Sequence, residues 1–228
     1  MNVPLGGARA VVFDAYGTLF DVGSAAARAK DELGDGWEAL GETWRAKQLQ
    51  YTWLRSLMGR HADFWRVTGD ALDYALAAHG LRDHGLRDRL MALYERLSAY
   101  PDARPALEAL RGRALKLAVL SNGTPRMLAA AAESAGLAPL LDAVLSVEEV
   151  GTYKPTPSVY RLASDRLGVW PSEIAFVSSN GWDAAGAKAA GLRVAWCNRA
   201  GQPAERLPDV PDVEIRTLAE LPALLGAP

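Results

Sequence analysis

The chain has 228 residues, 50% of them hydrophobic and 23% charged, a balance that suits one sizeable buried core carrying a smaller subdomain. Its formal net charge of -2 offers no basic field and argues against a nucleic-acid partner. No apolar run approaches the roughly 18–20 residues that cross a bilayer, and residues 1–7 lack the charged start and apolar stretch of a signal peptide. The expected setting is the cytoplasm, without a membrane partner. The single cysteine, Cys197, excludes an internal disulfide and reads as a small buried hydrophobe in Val194-Ala195-Trp196-Cys197.

Residues 9–14 read as a strand whose apolar run, Val11-Val12-Phe13, ends abruptly in Asp14, with the turn residue Gly17 close behind. An Asp in that position often serves only to cap a turn. At the carboxyl end of a strand in an open α/β sheet, however, the same side chain faces the crevice where ligands sit. After Asp21 the pattern becomes helical and stays so until about Pro101. Ser24 caps a helix through Leu33, Gly34-Asp35-Gly36 breaks it, and residues 37–58 form a long helix without internal proline. Leu49, Trp53 and Leu57 recur at i, i+4 and i+8 as one stripe, while Arg45, Gln48, Leu49 and Thr52 share a partly polar face beside it. Two further helices are expected over 63–79 and 86–99. Four of the seven tryptophans, Trp37, Trp44, Trp53 and Trp65, fall in this insertion, which is therefore expected to pack on the main domain, on a second subunit, or both. His61, His79 and His84 have no ligand spacing and are expected at the surface.

Beyond Pro101 a strand, loop, helix unit repeats. A helix over 105–111 leads to a strand over 115–120 that ends at Ser121-Asn122-Gly123; a helix over 125–135 and an apolar segment over 140–145 follow. A polar loop over 148–157 precedes a helix over 158–167 closed by Gly168. The strand over 174–177 ends in Ser178-Ser179-Asn180, and a helix over 184–190 and a strand over 193–196 complete the pattern. Such alternation implies a parallel sheet covered by helices. Residues 1–20 and 101–228 then form the core domain and residues 21–100 a helical subdomain, hinged near Asp21 and Pro101.

Three strands thus end in small polar or acidic clusters: Asp14, Ser121-Asn122, and Ser178-Ser179-Asn180 with Asp183 three residues on. Lys154, in Thr152-Tyr153-Lys154-Pro155, adds a cation from the loop between the second and third. Polar groups converging on one sheet edge are the default site.

The order of these motifs resembles the haloacid dehalogenase superfamily, and within it the 2-haloacid dehalogenases that act on the (S) enantiomer. The resemblance covers nearly the whole chain. Its carriers are Asp14-Ala15-Tyr16-Gly17-Thr18-Leu19-Phe20-Asp21, Trp44-Arg45-Ala46-Lys47-Gln48-Leu49, Ser121-Asn122-Gly123, Tyr153-Lys154-Pro155 with Tyr160, and Ser178-Ser179-Asn180-Gly181-Trp182-Asp183. It implies an α/β fold: a Rossmann-like parallel sheet flanked by helices, with an all-helical cap inserted after the first strand. The first motif identifies only the superfamily, most of whose members are phosphatases; the last narrows the assignment.

Chemistry supports the narrowing. A phosphatase of this superfamily needs an acid two residues after its nucleophile to protonate the leaving alkoxide, and acidic residues at the last motif to hold magnesium. Here Tyr16 stands at the first place and Ser178-Ser179 near the second. General acid catalysis is worth roughly 10²- to 10⁴-fold, whereas a halide departs unprotonated and a carboxylate attacking carbon needs no magnesium. The expectation is therefore a hydrolase that uses no metal or other cofactor and takes a small 2-haloacid and water as its partners.

The resemblance assigns roles. Asp14 attacks the alpha carbon to form an ester with inversion, and Asp183 orients or deprotonates the water that cleaves it, with Asn180 and Lys154 beside it. A Lys154 ammonium about 4 Å away would be worth roughly 4 kcal/mol at an effective dielectric near 20 in keeping Asp14 ionised. Ser121, Asn122 and the backbone amide of Ala15 hold the substrate carboxylate, while Arg45 reaches from the insertion to that carboxylate or to the departing halide. Thr18 and Ser178 support Asp14 and Lys154. Tyr16, Leu49, Phe64 and Trp182 form an apolar wall, and Tyr160 is either core packing or part of the site. Ala46 departs from the family, which often has glutamine there, and so alters the polar edge of the halide pocket. A homodimer through the insertion is implied as well. Two rivals stay open: a magnesium-dependent phosphatase, opposed by Tyr16 and the Ser178-Ser179 pair, and a non-catalytic relative that binds a protein through its tryptophan-rich helices, opposed by the full set of candidate groups.

Overall fold

The computed structural model describes residues 3–226; the side chain of His84, expected at the surface, lies outside the described residues. The core begins with β1 (Ala10–Phe13), whose four residues are all buried, as a continuous apolar run is when helices cover both faces of a parallel sheet. After β2 (Phe20–Asp21) come α1 (Ser24–Arg28), α2 (Lys30–Leu33), α3 (Trp37–Leu57), α4 (Phe64–Ala78) and α5 (His84–Tyr94). Next is β3 (Ser98–Ala99), which pairs antiparallel with β2. The chain then runs through α6 (Ala103–Arg111), β4 (Lys116–Ser121), α7 (Pro125–Ser134), β5 (Ala143–Ser146), α8 (Pro157–Leu167) and β6 (Ile174–Ser178). It ends with α9 (Gly181–Ala189), β7 (Arg193–Cys197), β8 (Val213–Ile215) and α10 (Leu221–Leu224).

Six strands form one parallel sheet in the order β5-β4-β1-β6-β7-β8. From β1 the chain builds outward through β4 and β5, then crosses back to add β6 on the other side. The carboxyl ends of β1, β4 and β6 therefore open at a topological switch point. Phe13 is level with Val119 and Val177, so Asp14, Ser121 and Ser178 emerge together at one sheet edge. The turn after Asp14 closes on the Ala15 carbonyl, which accepts from the Thr18, Leu19 and Phe20 amides. Gly17 stands in it at φ +93°, and a Cβ there would lie 3.1 Å from Ser179 Oγ. The β1 and β6 loops pass this closely because residue 17 has no side chain.

The structure differs from the pattern reading in several places, among them the helix expected over 24–33, which breaks at Ala29 and begins with Ser24 as its first residue and not its cap. The helix expected over 86–99 stops at Tyr94, because Ser98–Ala99 is drawn into the two-stranded stem with β2. The helix after β6 begins at Gly181 rather than at 184, so Trp182 and Asp183 are in its first turn. Strand β8 was not anticipated at all. In α3 the buried face is the polar one: Leu40, Trp44, Gln48 and Thr52 face inward, while Leu57 is 83% exposed.

The insertion packs on the core through two of its four tryptophans. Trp53 meets Trp182 edge-on with ring centroids 5.4 Å apart, and the Arg126 guanidinium of α7 lies 5.4 Å from the Trp65 ring. Glu148 of the core accepts from the Phe64 amide at the start of α4 at 3.1 Å and pairs with His61 at 2.9 Å. Cys197 is buried, its thiol pushed up to about 11 by burial. Among the described residues no helix is long and apolar enough to cross a membrane.

Candidate active site

The strand ends converge on one ammonium. Lys154, 1% exposed, places Nζ 3.0 Å from Asp14 Oδ1 and 2.9 Å from Asp183 Oδ2, with the Phe176 ring of β6 4.9 Å away. Its backbone N–H donates to Asn122 Oδ1 at 3.1 Å, tying the lysine loop to the end of β4. Burial opposes the ammonium charge, but Asp14 and Asp183 together hold the Lys154 pKa above that of an ordinary lysine. For Asp183 burial dominates: it pushes the carboxyl above the usual carboxylate range against the pull of Lys154, and the charge of Asp14 adds to the rise.

Around Asp14 the donors are divided between its oxygens. Oδ2 accepts from Asn180 Nδ2 at 2.9 Å and from the Thr18 hydroxyl at 3.2 Å, leaving Lys154 as the partner of Oδ1. Thr18 Oγ1 in turn accepts from the Ser179 amide at 2.8 Å, which locks the β1 turn to the β6 loop. Ser178 Oγ accepts from the Asn180 amide at 3.2 Å, so Ser178 shapes the turn that aims Asn180; no bond joins it to Lys154 among the described residues. Tyr160 is fully buried and donates to Asp183 Oδ1 at 2.7 Å from behind. Burial keeps its phenol, like that of Tyr16, protonated well beyond the ordinary tyrosine range.

Opposite Lys154 the edge offers anion donors. The Ser121 hydroxyl accepts from the Gly123 amide at 3.2 Å and keeps its proton to donate. The N–H groups of Ala15 and Asn122 have no acceptor among the described residues. Backbone amides grouped in this way form a concavity for an anion. Tyr16 stacks on Phe64 at 5.6 Å and tilts against Tyr94 at 5.7 Å, building an aromatic wall where α4 and α5 meet the core. Leu49 and Trp182 are half-buried, and Trp182 meets Trp53 of α3 edge-on.

Arg45 comes down from α3. Its Nη2 reaches Asn180 Oδ1 at 3.4 Å, and its Nη1 donates to Gln48 Oε1 at 2.7 Å. Gln48 is itself fixed, donating to Thr68 Oγ1 of α4 at 2.8 Å and to the Tyr94 hydroxyl of α5 at 3.0 Å. Three cap helices thus aim one guanidinium at the core. Gln48, Thr68 and Tyr94 were not among the expected site residues; Thr68 and Tyr94 gave no signal, whereas Gln48 stood in the Trp44–Leu49 motif and four residues after Trp44, on a face where an apolar residue would be normal.

Among the described residues no group of three or more His, Cys, Asp or Glu side chains is arranged to hold a metal ion. The two carboxylates that meet at the sheet edge share an ammonium instead. The arrangement sets a buried carboxylate and a second one against a shared ammonium, with free backbone amides and aromatic rings beside them, a set whose chemistry suits displacement at a carbon bearing a carboxylate.

Comparison with known proteins agrees with this chemistry. The haloacid dehalogenase-like hydrolase family model matches residues 8–191. The (S)-2-haloacid dehalogenase 4A of Burkholderia cepacia is 48% identical over 219 residues, 96% of this chain and 95% of its own length. A solved dehalogenase with an intermediate complex superposes with a TM-score of 0.95 at 46% identity, covering 98% of this chain and 99% of that one. The L-2-haloacid dehalogenase of Xanthobacter autotrophicus with chloropropionic acid covalently bound gives a TM-score of 0.89 at 41% identity over 95% of this chain and 98% of that one.

Replacing the shared cation tests the electrostatics. Lys154→Met leaves two buried carboxylates facing one empty place and is expected to lower the unfolding free energy by about 3–5 kcal/mol at pH 7. Without the cation the folded pair takes up a proton more readily than the unfolded chain does. Its folded pKa is thus raised, and the deficit relative to wild type shrinks as pH falls toward 4.5. Urea titrations at the two pH values measure this; a loss below about 1 kcal/mol, or a deficit that grows on acidification, contradicts it.

Proposed function

Because this chain belongs to the haloacid dehalogenase-like hydrolase family, we propose that it hydrolyses short-chain (S)-2-haloalkanoic acids to (R)-2-hydroxyalkanoic acids and halide through an ester on Asp14. The observation that carries the reading is the buried pairing of Asp14 with Lys154 at 3.0 Å, next to a Tyr16 phenol where an acid would serve an alkoxide. At that distance an opposite charge is worth about 5 kcal/mol at an effective dielectric near 20. That attraction offsets part of the cost of burying the Asp14 carboxylate.

In the first step an oxygen of Asp14 bonds to the alpha carbon as the carbon–halogen bond breaks and the halide leaves with the electron pair. Oδ2 already accepts from Asn180 and Thr18, so Oδ1 is the attacking oxygen and Oδ2 becomes the ester carbonyl. In the second step water adds to Cγ of Asp14 as Asp183 takes its proton, and the charge developing on Oδ2 meets the same two donors, as in an oxyanion hole. The bond from Cγ to Oδ1 then breaks, the product takes Oδ1 and the proton from Asp183, and Asp14 returns to its ionised form with one proton released. The inversion set at the first step survives, because the second never touches the alpha carbon.

The Ser121 hydroxyl and the Ala15 and Asn122 amides hold the carboxylate, and Arg45 answers either that carboxylate or the departing halide. Tyr16, Leu49, Phe64 and Trp182 enclose the apolar part. Tyr160 orients Asp183 instead of touching substrate, and Ser178 sets the Asn180 turn. We take residues 1–20 and 101–228 as the core and 21–100 as the cap, divided at the β2–β3 stem. The enzyme works in the cytoplasm as a homodimer through the outer end of α3, where Leu54, Leu57 and Met58 are 43%, 83% and 62% exposed.

Halide release from (S)-2-chloropropionate, with none from the (R) form, is expected of the wild type, and Asp14→Ala is expected to lose at least about 10³-fold in kcat. Magnesium-dependent release of phosphate from an aryl phosphate, with no halide from either enantiomer, would overturn the reading. Tyr160→Phe removes a hydrogen bond that lowers the Asp183 pKa, so the acid limb of the kcat profile moves to higher pH as Asp183 becomes harder to ionise. An unmoved limb, or one moved to lower pH, contradicts Asp183 as the base.

A further inference from the structure

The turn after Asp14 is also held by an ion pair that has no part in the chemistry described above. Arg199, in the loop after β7, and Asp102, just before α6, form a two-pronged bridge: Nη1 donates to Oδ2 at 2.8 Å and Nη2 to Oδ1 at 2.9 Å. Asp102 Oδ2 accepts as well from the Thr217 hydroxyl at 2.7 Å and the Leu218 amide at 2.9 Å. Burial works against the Asp102 charge, but these donors hold its carboxyl below the usual carboxylate range. The guanidinium lies over the Tyr100 ring at 4.2 Å, and the two side chains are only 19% and 18% exposed. A pair fixed on so many sides keeps one geometry, unlike an exposed pair of mobile side chains.

What this pair grips is the turn itself. Arg199 Nη2 donates a further bond of 2.9 Å to the Thr18 carbonyl, and the Tyr100 amide donates to the Leu19 carbonyl at 2.9 Å. Two successive carbonyls of the turn are thereby tied to the chain that leaves the cap. Thr18 in turn presents Oγ1 to Asp14 Oδ2 at 3.2 Å. The Ser179 amide fixes where that oxygen accepts; the Arg199 bond fixes the peptide that carries it. We infer that Arg199 is a positioning residue for cleavage of the ester, acting through the Thr18 carbonyl on the Thr18 hydroxyl, with Asp102 holding Arg199 in place. The inference rests on the ester mechanism above and adds to it two residues from separate segments. Since Asp102 answers the charge of Arg199, the effect is one of geometry. It falls on the second step: ester formation moves charge from Asp14 to the halide, whereas water addition to Cγ builds charge on Oδ2, where the Thr18 donor stands. Bridging a carboxylate and a carbonyl at once calls for the planar fork of arginine, which lysine lacks.

Halide leaves at the first step and hydroxyacid at the second, so rapid-quench measurement of both products from (S)-2-chloropropionate separates the two rates. In Arg199→Met, ester hydrolysis is expected to slow at least about tenfold, a part of the roughly 10²- to 10³-fold that loss of an oxyanion donor costs, while ester formation stays within about threefold of the wild type. Arg199→Lys is expected to show the same imbalance, and Asp102→Asn, which keeps the shape of the pair and removes its charge, to slow hydrolysis at least about threefold. In a Thr18→Val background, Arg199→Met is expected to slow hydrolysis by less than about threefold more, because the hydroxyl it positions is gone. Equal losses in both steps, as lower stability or a smaller active fraction would give, overturn the inference. So do losses that multiply in the double variant, and so does an unchanged hydrolysis rate in Arg199→Met. Should Arg199→Met fail to fold, Asp102→Asn and Arg199→Lys are decided by the same two rates. Absence of halide release by the wild type would instead sink the dehalogenase reading itself.

Discussion

One ammonium between two carboxylates is the constraint on which the rest of this molecule depends. Taking a single charge out of water costs several kcal/mol even after relaxation, and two carboxylates brought together at one sheet edge would repel and protonate. Lys154 resolves both problems because its Nζ lies about equally close to Asp14 and Asp183. That position is held from several sides: the Asn122 side chain takes the lysine amide, the Phe176 ring lies beside Nζ, and Tyr160 braces Asp183 from behind. The sheet supplies the frame, since β1, β4 and β6 are the strands whose ends face the point where strand order reverses.

The division of labour between core and cap follows from the same electrostatics. The core carries Asp14, Asp183 and Lys154. The cap brings a second cation, Arg45, and the rings of Phe64 and Tyr94, which pack on Tyr16. A guanidinium on a long side chain has many rotamers, and Gln48 removes that freedom through bonds to Thr68 and Tyr94 on two other helices. The cap is fastened through Trp53 on Trp182, Arg126 on Trp65, and Glu148 on the start of α4.

Much of this was legible from residue order, and the reasons are physical. A strand buried on both faces shows as an unbroken apolar run, so β1, β4 and β6 stood out, and with them the polar residues that end them. The features missed depend on partners distant in sequence. Strand β3 is two residues long and exists because β2 is there to pair with it. Helix α9 starts on Gly181, a poor helix former, because the loop before it is tied down by Asn180 to Asp14. Gln48 was read as part of a polar face beside the Leu49, Trp53 and Leu57 stripe, since hydrophobic periodicity cannot show that a polar side chain is buried when its partners come from other helices. Tyr160 was left between packing and function; it is fully buried and donates to Asp183 Oδ1, a partner that residue order could not supply.

The central claim is that Asp14 is the nucleophile and is freed by attack at its own carbonyl. Its most direct test is a single turnover of (S)-2-chloropropionate by excess enzyme in ¹⁸O water, with mass analysis of both product and the Asp14 peptide. The account predicts label on the Asp14 carboxylate and an unlabelled 2-hydroxypropionate in that first turnover. Label entering the product directly, with Asp14 unlabelled, would contradict it.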